Sequence, residues 1–396
     1  MVDLSVKFDM HNKSTLMIIT ILLTLTILLG VGVYTIFQHP PQNNQQQDEN
    51  DQKDTTVWSY TFHHDMARTG YSTLPGPLTN HTVWTHLTQM QIEYSSPAVV
   101  DGVAYFGSND RRVRAVNAST GSLVWSYLTG NSVESSCTVS NGIVYFGSHD
   151  HNVYALDSAT GHKVWNFTTK NEVYSTPAVV EGIVYVGSTD KNLYALDAST
   201  GREIWRYTTS NIIYSSPAVV KGAVFVNSYD TAYALDAMTG KEIWSIFAWG
   251  PIYSSSAVVN DNVYFGASNT VYALNAASGG KIWTHTTGDR VESSPAVANN
   301  IVYVGSDDRN VYALDASSGT QIWNYTTGND VNGSPTVANE VVYIGSKDNN
   351  VYALNASTGS KIWSYRTGSQ IESTPSVANG MLYIGSNDAK VYAFGS

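Results

Sequence analysis

The sequence predicts an all-β fold: an eight-bladed β-propeller of four-stranded antiparallel blades, carried behind an N-terminal transmembrane helix. Three observations predict the propeller. Tryptophan recurs at Trp84, Trp125, Trp165, Trp205, Trp244, Trp283, Trp323 and Trp363, at intervals of 41, 40, 40, 39, 39, 40 and 40 residues. Each interval repeats four short strand signals separated by glycine or Asx turns. The ends of the repeat region also complement each other. Trp84 stands one strand before the first S-S-P motif (Ser95-Ser96-Pro97), whereas the last unit reaches Tyr392-Ala393-Phe394-Gly395-Ser396 without a tryptophan strand. The Trp84 strand is therefore expected to complete the blade begun by Ser373-Thr374-Pro375 and to close the ring.

Taken in chain order, the first element is an apolar run. Thr15 to Phe37 carries no charge and is rich in Leu, Ile, Val and Thr. At about 1.5 Å per residue, a helix of this length spans a hydrocarbon core of about 30 Å. Gln38-His39-Pro40-Pro41 follows without an A-x-A-like site, which favours a retained signal anchor over a cleaved signal peptide. Lys7 and Lys13 precede the run and only Lys53 lies close behind it. The positive-inside bias makes residues 1–14 cytoplasmic and puts the C-terminal body outside the cytoplasm. Residues 38–56 include PPQNNQQQDENDQKDTT, with nothing apolar to bury, and read as a disordered spacer. Residues 57–396 form the propeller.

Each unit reads approximately S-S-P-A-V-V-x-G-x-V-Y-x-G-S-x-D-x-x-V-Y-A-L-D-A-x-T-G-x-x-I-W-x-Y-x-T-G. In the third unit the expected strands are Ser175–Val180, Ile183–Gly187, Leu193–Leu196 and Glu203–Thr208. β-Branched residues and a period of two make them strands, and links this short force antiparallel neighbours. One such sheet cannot bury both faces alone; eight packed radially can, and closure limits exposed edges. Composition agrees, with 13% charged residues, 12% aromatics and 31 glycines.

The A-x-D/N-A-x-T-G-x-x-x-W motif, as in Ala195 to Trp205, resembles the tryptophan docking motif of the quinoprotein-like (PQQ-like) repeat family. The resemblance runs from Trp58 onward, about 85% of the chain. It implies that each tryptophan wedges between adjacent blades and hydrogen-bonds across the seam. The segment Trp58 to Asp65, with Arg68-Thr69-Gly70, resembles the family's lead-in to the propeller.

The resemblance also makes one rim the ligand-facing one: that carrying the loops between blades and the loops joining each blade's second and third strands. The residue before each S-S-P-like motif varies most, reading Tyr94, Glu134, Tyr174, Tyr214, Tyr253, Glu292, Asn332 and Glu372. Tyr174, Tyr214 and Tyr253, with Trp249 in a neighbouring loop, form an aromatic sector. They either touch a sugar, peptide or partner loop or plug the channel with hydroxyls in water. Glu292, Asn332 and Glu372 form an acidic sector whose oxygen ligands suit Ca²⁺, or else are solvated rim charges. Asp110, Asp150, Asp190, Asp230, Asp308, Asp348 and Asp388 recur because each closes a turn. His63-His64-Asp65 and His149-Asp150-His151 look metal-like but lack the spacing of a ligand set, so no metal site is expected. Sequons fall at Asn80, Asn117, Asn166, Asn324, Asn332 and Asn355.

A net charge of −11 without a basic stripe excludes nucleic acid as a partner. The single cysteine, Cys137, excludes an intrachain disulfide framework and paired-cysteine zinc sites. No nucleophile–base constellation is visible, so no catalytic residue is assigned. The expectation is a non-catalytic binding or scaffold protein for a protein or glycan of the cell envelope. The BamB-like scaffolds of outer-membrane assembly resemble it most closely, although here a helix replaces a lipid-bearing cysteine. The alternative is a PQQ-dependent quinoprotein dehydrogenase. That resemblance implies PQQ and Ca²⁺ as cofactors, together with a vicinal cysteine pair that this chain lacks, so no cofactor is expected.

Overall fold

The computed structural model describes residues 61–395, and within them the chain forms eight sheets, seven of four strands and one, the seventh blade, of four strands with a short fifth added. The expected anchor at 15–37, the spacer at 38–56 and Trp58 lie outside the described residues. Among those described, no helix is long and apolar enough to cross a membrane. The third blade is representative, with strands Ala178–Val180, Ile183–Gly187, Asn192–Asp197 and Glu203–Thr208 paired antiparallel in sequence order. Inner strands of neighbouring blades touch all the way round, including the first and the eighth, so the ring is closed.

Closure follows the sequence expectation. His81–Leu87, which carries Trp84, pairs antiparallel with Lys390–Gly395 and becomes the outer strand of the eighth blade. Thr79 fastens the junction by donating its hydroxyl to the Gly395 carbonyl at 2.9 Å.

All eight repeat tryptophans stand at blade seams. The indole N–H of Trp165 donates to the Ala198 carbonyl of the next blade at 2.9 Å, and that of Trp323 to Ala356 at 2.8 Å. The tyrosine of each V-Y-x-G motif reaches the same carbonyl in most blades: Tyr145 donates to Ala198 and Tyr303 to Ala356. The T-G glycine is required here. Gly201 has a φ of +70°, and a Cβ on it would lie 2.7 Å from the Trp165 ring. Trp363 has no following turn of the usual kind and donates instead to Pro77, in the segment that enters the eighth blade. A bulge before each tryptophan, such as that between Ala195 and Leu196 opposite Trp205 and Glu203, resets the alternation. Trp205 can then face the seam while Glu203 and Ile204 both face solvent.

One expectation is corrected. The S-S-P residues are not strand, because the inner strand starts at Ala178 rather than Ser175. Their hydroxyls instead tie the axis together. The Ser136 hydroxyl accepts from the Ser96 backbone N–H, Thr176 from Ser136, Ser216 from Thr176 and Ser255 from Ser216, each bond crossing to the next blade.

The channel itself is filled at one end by the lead-in. Residues 61–72 wind along the axis, where the carbonyls of Met66, Ala67, Thr69 and Gly70 accept from Val219, Val258, Val297 and Val337. These donors belong to the fourth to seventh inner strands, whose inward N–H groups would otherwise be buried unpaired. Tyr71–Ser72 ends the run as a parallel strand against Val337–Ala338.

Candidate functional site: the axial cup

With one end of the axis filled, the other is a cup of about 570 Å³. Tyr94, Glu134, Tyr174, Tyr214, Tyr253, Glu292, Asn332 and Glu372 all line it, together with Glu93. Deeper in lies the ring of motif hydroxyls (Ser136, Thr176, Ser216, Ser255, Ser294, Ser334 and Thr374), and Phe62 of the lead-in forms the floor. Trp249 is not among the lining residues. It is 84% exposed and packs edge-on against Phe247, so it belongs to a separate surface patch.

The mouth divides into two halves. In the third to fifth blades, Tyr174, Tyr214 and Tyr253 form a continuous aromatic arc. Ring centroids lie 5.2 Å apart for Tyr174–Tyr214 and 5.7 Å for Tyr214–Tyr253. His149 packs on one end at 4.2 Å and Tyr229 on the other at 5.7 Å.

The other half is acidic, but much of its charge is internally paired. The Asn332 amide donates to Glu292 at 2.7 Å, and Arg290 to the second Glu292 oxygen at 3.2 Å. Glu372 takes the Lys347 ammonium at 3.1 Å on one oxygen and the Asn387 amide at 2.7 Å on the other. Burial works against the charge of Lys347, but Glu372, Glu292 and Asp307 outweigh it and raise its pKa. Burial, reinforced by Glu292 and Asp330, pushes Asp307 up to about 6.

Glu134 is the strained member. Burial, then repulsion from Glu93, Glu172 and Glu372, lifts its pKa to about 8. Its nearest basic group is the His149 ring at 3.7 Å, which burial keeps largely neutral. A raised folded-state pKa means that the folded protein holds this proton where the unfolded chain has lost it. Stability from this group is full below the unfolded value and falls as pH rises toward 8. Glu134→Gln is therefore expected to stabilise the protein at pH 9 by on the order of 1–2 kcal/mol and to be near neutral at pH 4. Urea unfolding at the two pH values measures this; an equal effect at both would contradict it.

The residues whose part in the rim sequence reasoning missed sit at the variable position of G-S-x-D. Asn109, His149, Tyr229, Asp307, Lys347 and Asn387 stand beside the first variable ring and set its charge. Their variation was visible in the sequence. The signal lay in reading both variable positions together, since the two loops share a rim. The turn aspartates join adjacent loops: Asp150 accepts from Asn152 in its own turn, and from Gly130 and the Tyr154 hydroxyl. No group of three or more His, Cys, Asp or Glu among the described residues is arranged to hold a metal. Buried His63 is held neutral, its pKa lowered to about 3 by burial and Arg68. Asn332 is only 8% exposed and bonded inside the cup, which removes it from the accessible sequons.

Closed blades, tryptophan seams and a hydroxyl-ringed axial cup define a PQQ-type repeat propeller. The chain belongs to the family described as outer membrane protein assembly factor BamB, whose model matches residues 72–176, 149–270 and 267–395. No curated protein sequence matches it. Among solved structures, quinohemoprotein alcohol dehydrogenase from Comamonas testosteroni is similar with a TM-score of 0.76 and 17% identity, covering 86% of this chain and 81% of that one. BamB from Moraxella catarrhalis is similar with a TM-score of 0.68 and 19% identity, covering 80% and 99%. The computationally designed Ika8 protein gives 0.71 and 17%, covering 80% and 99%. At these identities the likeness is one of fold.

Proposed function

We propose that this chain is a membrane-anchored, extracytoplasmic propeller acting as a non-catalytic binding or scaffold protein for a protein or glycan of the cell envelope. The cup mouth and its aromatic arc are the contact surface. One observation carries the reading: the cup is floored by the chain's own lead-in, and its acidic wall is tied up in ion pairs and amide bonds rather than arranged around a nucleophile. Membership of a family described as an assembly factor favours a protein partner. The apolar run at 15–37 supports the anchor.

The donor set does not suit the dehydrogenase cofactors. PQQ is a polycarboxylate, while among the described residues the cup lining offers four carboxylates and no basic side chain. Ca²⁺ takes six to eight oxygens. Both oxygens of Glu292 and both of Glu372 are already engaged, and the Lys347 ammonium stands beside them. Cys137 is fully buried, and burial raises its thiol pKa.

The test is affinity capture from envelope extracts, comparing the wild type with a Tyr174→Ala/Tyr214→Ala/Tyr253→Ala variant of unchanged melting temperature. A defined partner lost at least tenfold from the variant is expected, since aromatic anchors dominate such contacts. Equal capture by both proteins would contradict the cup mouth as the surface.

A further inference from the structure

We propose that Glu134 and His149 share a single proton at the end of the aromatic arc, and that this pair makes binding at the cup mouth depend on pH. The dependence deepens the scaffold reading above and rests on it; the shared proton stands on its own geometry.

That geometry consists of two facing groups, each short of a partner. His149 stands in the turn after the second strand of the second blade, and Glu134 in the loop that enters the same blade. Glu134 Oε2 lies 3.7 Å from His149 Nε2, and the two side chains are only 13% and 10% exposed. The Nε2 atom is buried with no hydrogen-bond partner among the described residues. A buried ring nitrogen calls for a donor, and a protonated carboxyl group is one. A side-chain shift of about 1 Å brings the two atoms to hydrogen-bonding distance.

The surroundings hold the proton on the carboxyl. Glu134 is faced by the carboxylates of Glu93, Glu172 and Glu372, and its one ion-pair contact among the described residues is His149. His149 is faced by Glu93, Glu172 and Asp150 and packs on Tyr174 at 4.2 Å. Those carboxylates favour an imidazolium, but burial outweighs them and the ring stays neutral. The hydroxyls of Tyr94 and Tyr174, both pushed up by burial, stay neutral as well.

Binding feels this proton because Glu134 and the arc line one cup. A partner that covers Tyr174 covers Glu134 with it. The neutral pair is buried at little cost, whereas a carboxylate would be stripped of water beside three others. As pH rises through about 8, the proton passes from Glu134 to water in the cup. One unit higher, about a tenth of the molecules keep the binding form, so apparent affinity at pH 9 falls about tenfold. By linkage, a partner bound between about pH 8 and 9 draws a proton from solution.

The experiment is infrared spectroscopy of the full chain in non-ionic detergent, as a difference between about pH 7 and pH 9.5. Starting near pH 7 leaves Asp307, at about 6, mostly ionised. A protonated-carboxyl band is expected at the lower pH, lost with a midpoint near 8 and missing from Glu134→Gln. His149→Phe removes the acceptor and is expected to move the band to the higher frequency of an unbonded carboxyl. A purely structural role for His149 would leave that frequency unchanged. Partner capture by the wild type is expected to fall about tenfold from pH 7 to pH 9, and capture by Glu134→Gln to show no such fall. A missing band in the wild type, a band that His149→Phe does not move, or an equal pH dependence of capture in both proteins would overturn the proposal. Capture absent at both pH values while the band titrates normally would sink the scaffold reading and leave the shared proton in place, so the two failures are distinguishable.

Discussion

Replacing Arg68 by alanine is expected to lower the unfolding free energy by about 3–5 kcal/mol. Arg68 is fully buried on the propeller axis and its guanidinium makes five hydrogen bonds. Two hold the lead-in to itself, through the Thr61 hydroxyl at 2.6 Å and the Phe62 carbonyl at 2.7 Å. Three reach the ring, through the carbonyls of Thr176, Pro177 and Pro217 at 3.1–3.2 Å. Burial pulls its pKa down to about 9, which leaves it charged at neutral pH and bound by these acceptors. Alanine removes the donors and leaves the buried carbonyls of Phe62, Thr176 and Pro217 without one, while Thr61 and Pro177 keep their bonds to the Thr138 hydroxyl. Arg68→Lys is expected to recover little, because a point ammonium cannot span carbonyls from two entry loops. Urea unfolding of the three proteins checks this; a loss below about 1 kcal/mol for alanine would show that the lead-in does not depend on this residue.

Trp323→Ala is expected to cost about 3–5 kcal/mol and to broaden the thermal transition. The indole is buried in the seam between the sixth and seventh blades, packs 5.9 Å from the Tyr303 ring and donates to Ala356. Tyr303 bonds the same carbonyl, so that acceptor stays satisfied and the loss is chiefly one of packing. Gly359→Ala attacks the same contact from the other side. Its Cβ would meet the Trp323 ring at 2.7 Å, on a backbone at φ +71°. Trp249→Ala is the control: the side chain is exposed, and a change within about 0.5 kcal/mol is expected. Calorimetric melting separates these outcomes, and equal effects for Trp323 and Trp249 would contradict the seam role.

Much of the ring was legible in the sequence because each repeat is locally self-consistent. The tryptophan period, the T-G glycines and the missing outer strand of the last unit each had one physical solution, and the pairing of His81–Leu87 with Lys390–Gly395 is that solution. The eight variable positions were also readable, since a position that varies within a near-fixed repeat does not serve the shared seams. Three things were not. Residues 61–72 show no alternation, because they hold the axis through backbone carbonyls and one buried side chain, Arg68, whose ring partners lie more than 100 residues away. The S-S-P hydroxyls read as strand because serine and threonine tolerate strands, whereas their partners are one whole blade away. The balance of the acidic half depended on Lys347 and Arg290. The first meets Glu372 from another loop and the second depends on side-chain direction, neither of which periodicity reveals.

The central claim is that this cup binds rather than oxidises, and titration with PQQ tests it most directly. Purified full-length chain would be titrated with PQQ, with and without Ca²⁺, and followed by absorbance and calorimetry. No saturable binding is predicted under either condition, because a polycarboxylate meets four carboxylates and Ca²⁺ meets oxygens already bonded. Tight, Ca²⁺-dependent PQQ binding that Glu372→Gln abolishes would contradict the account and establish a quinoprotein site in the cup.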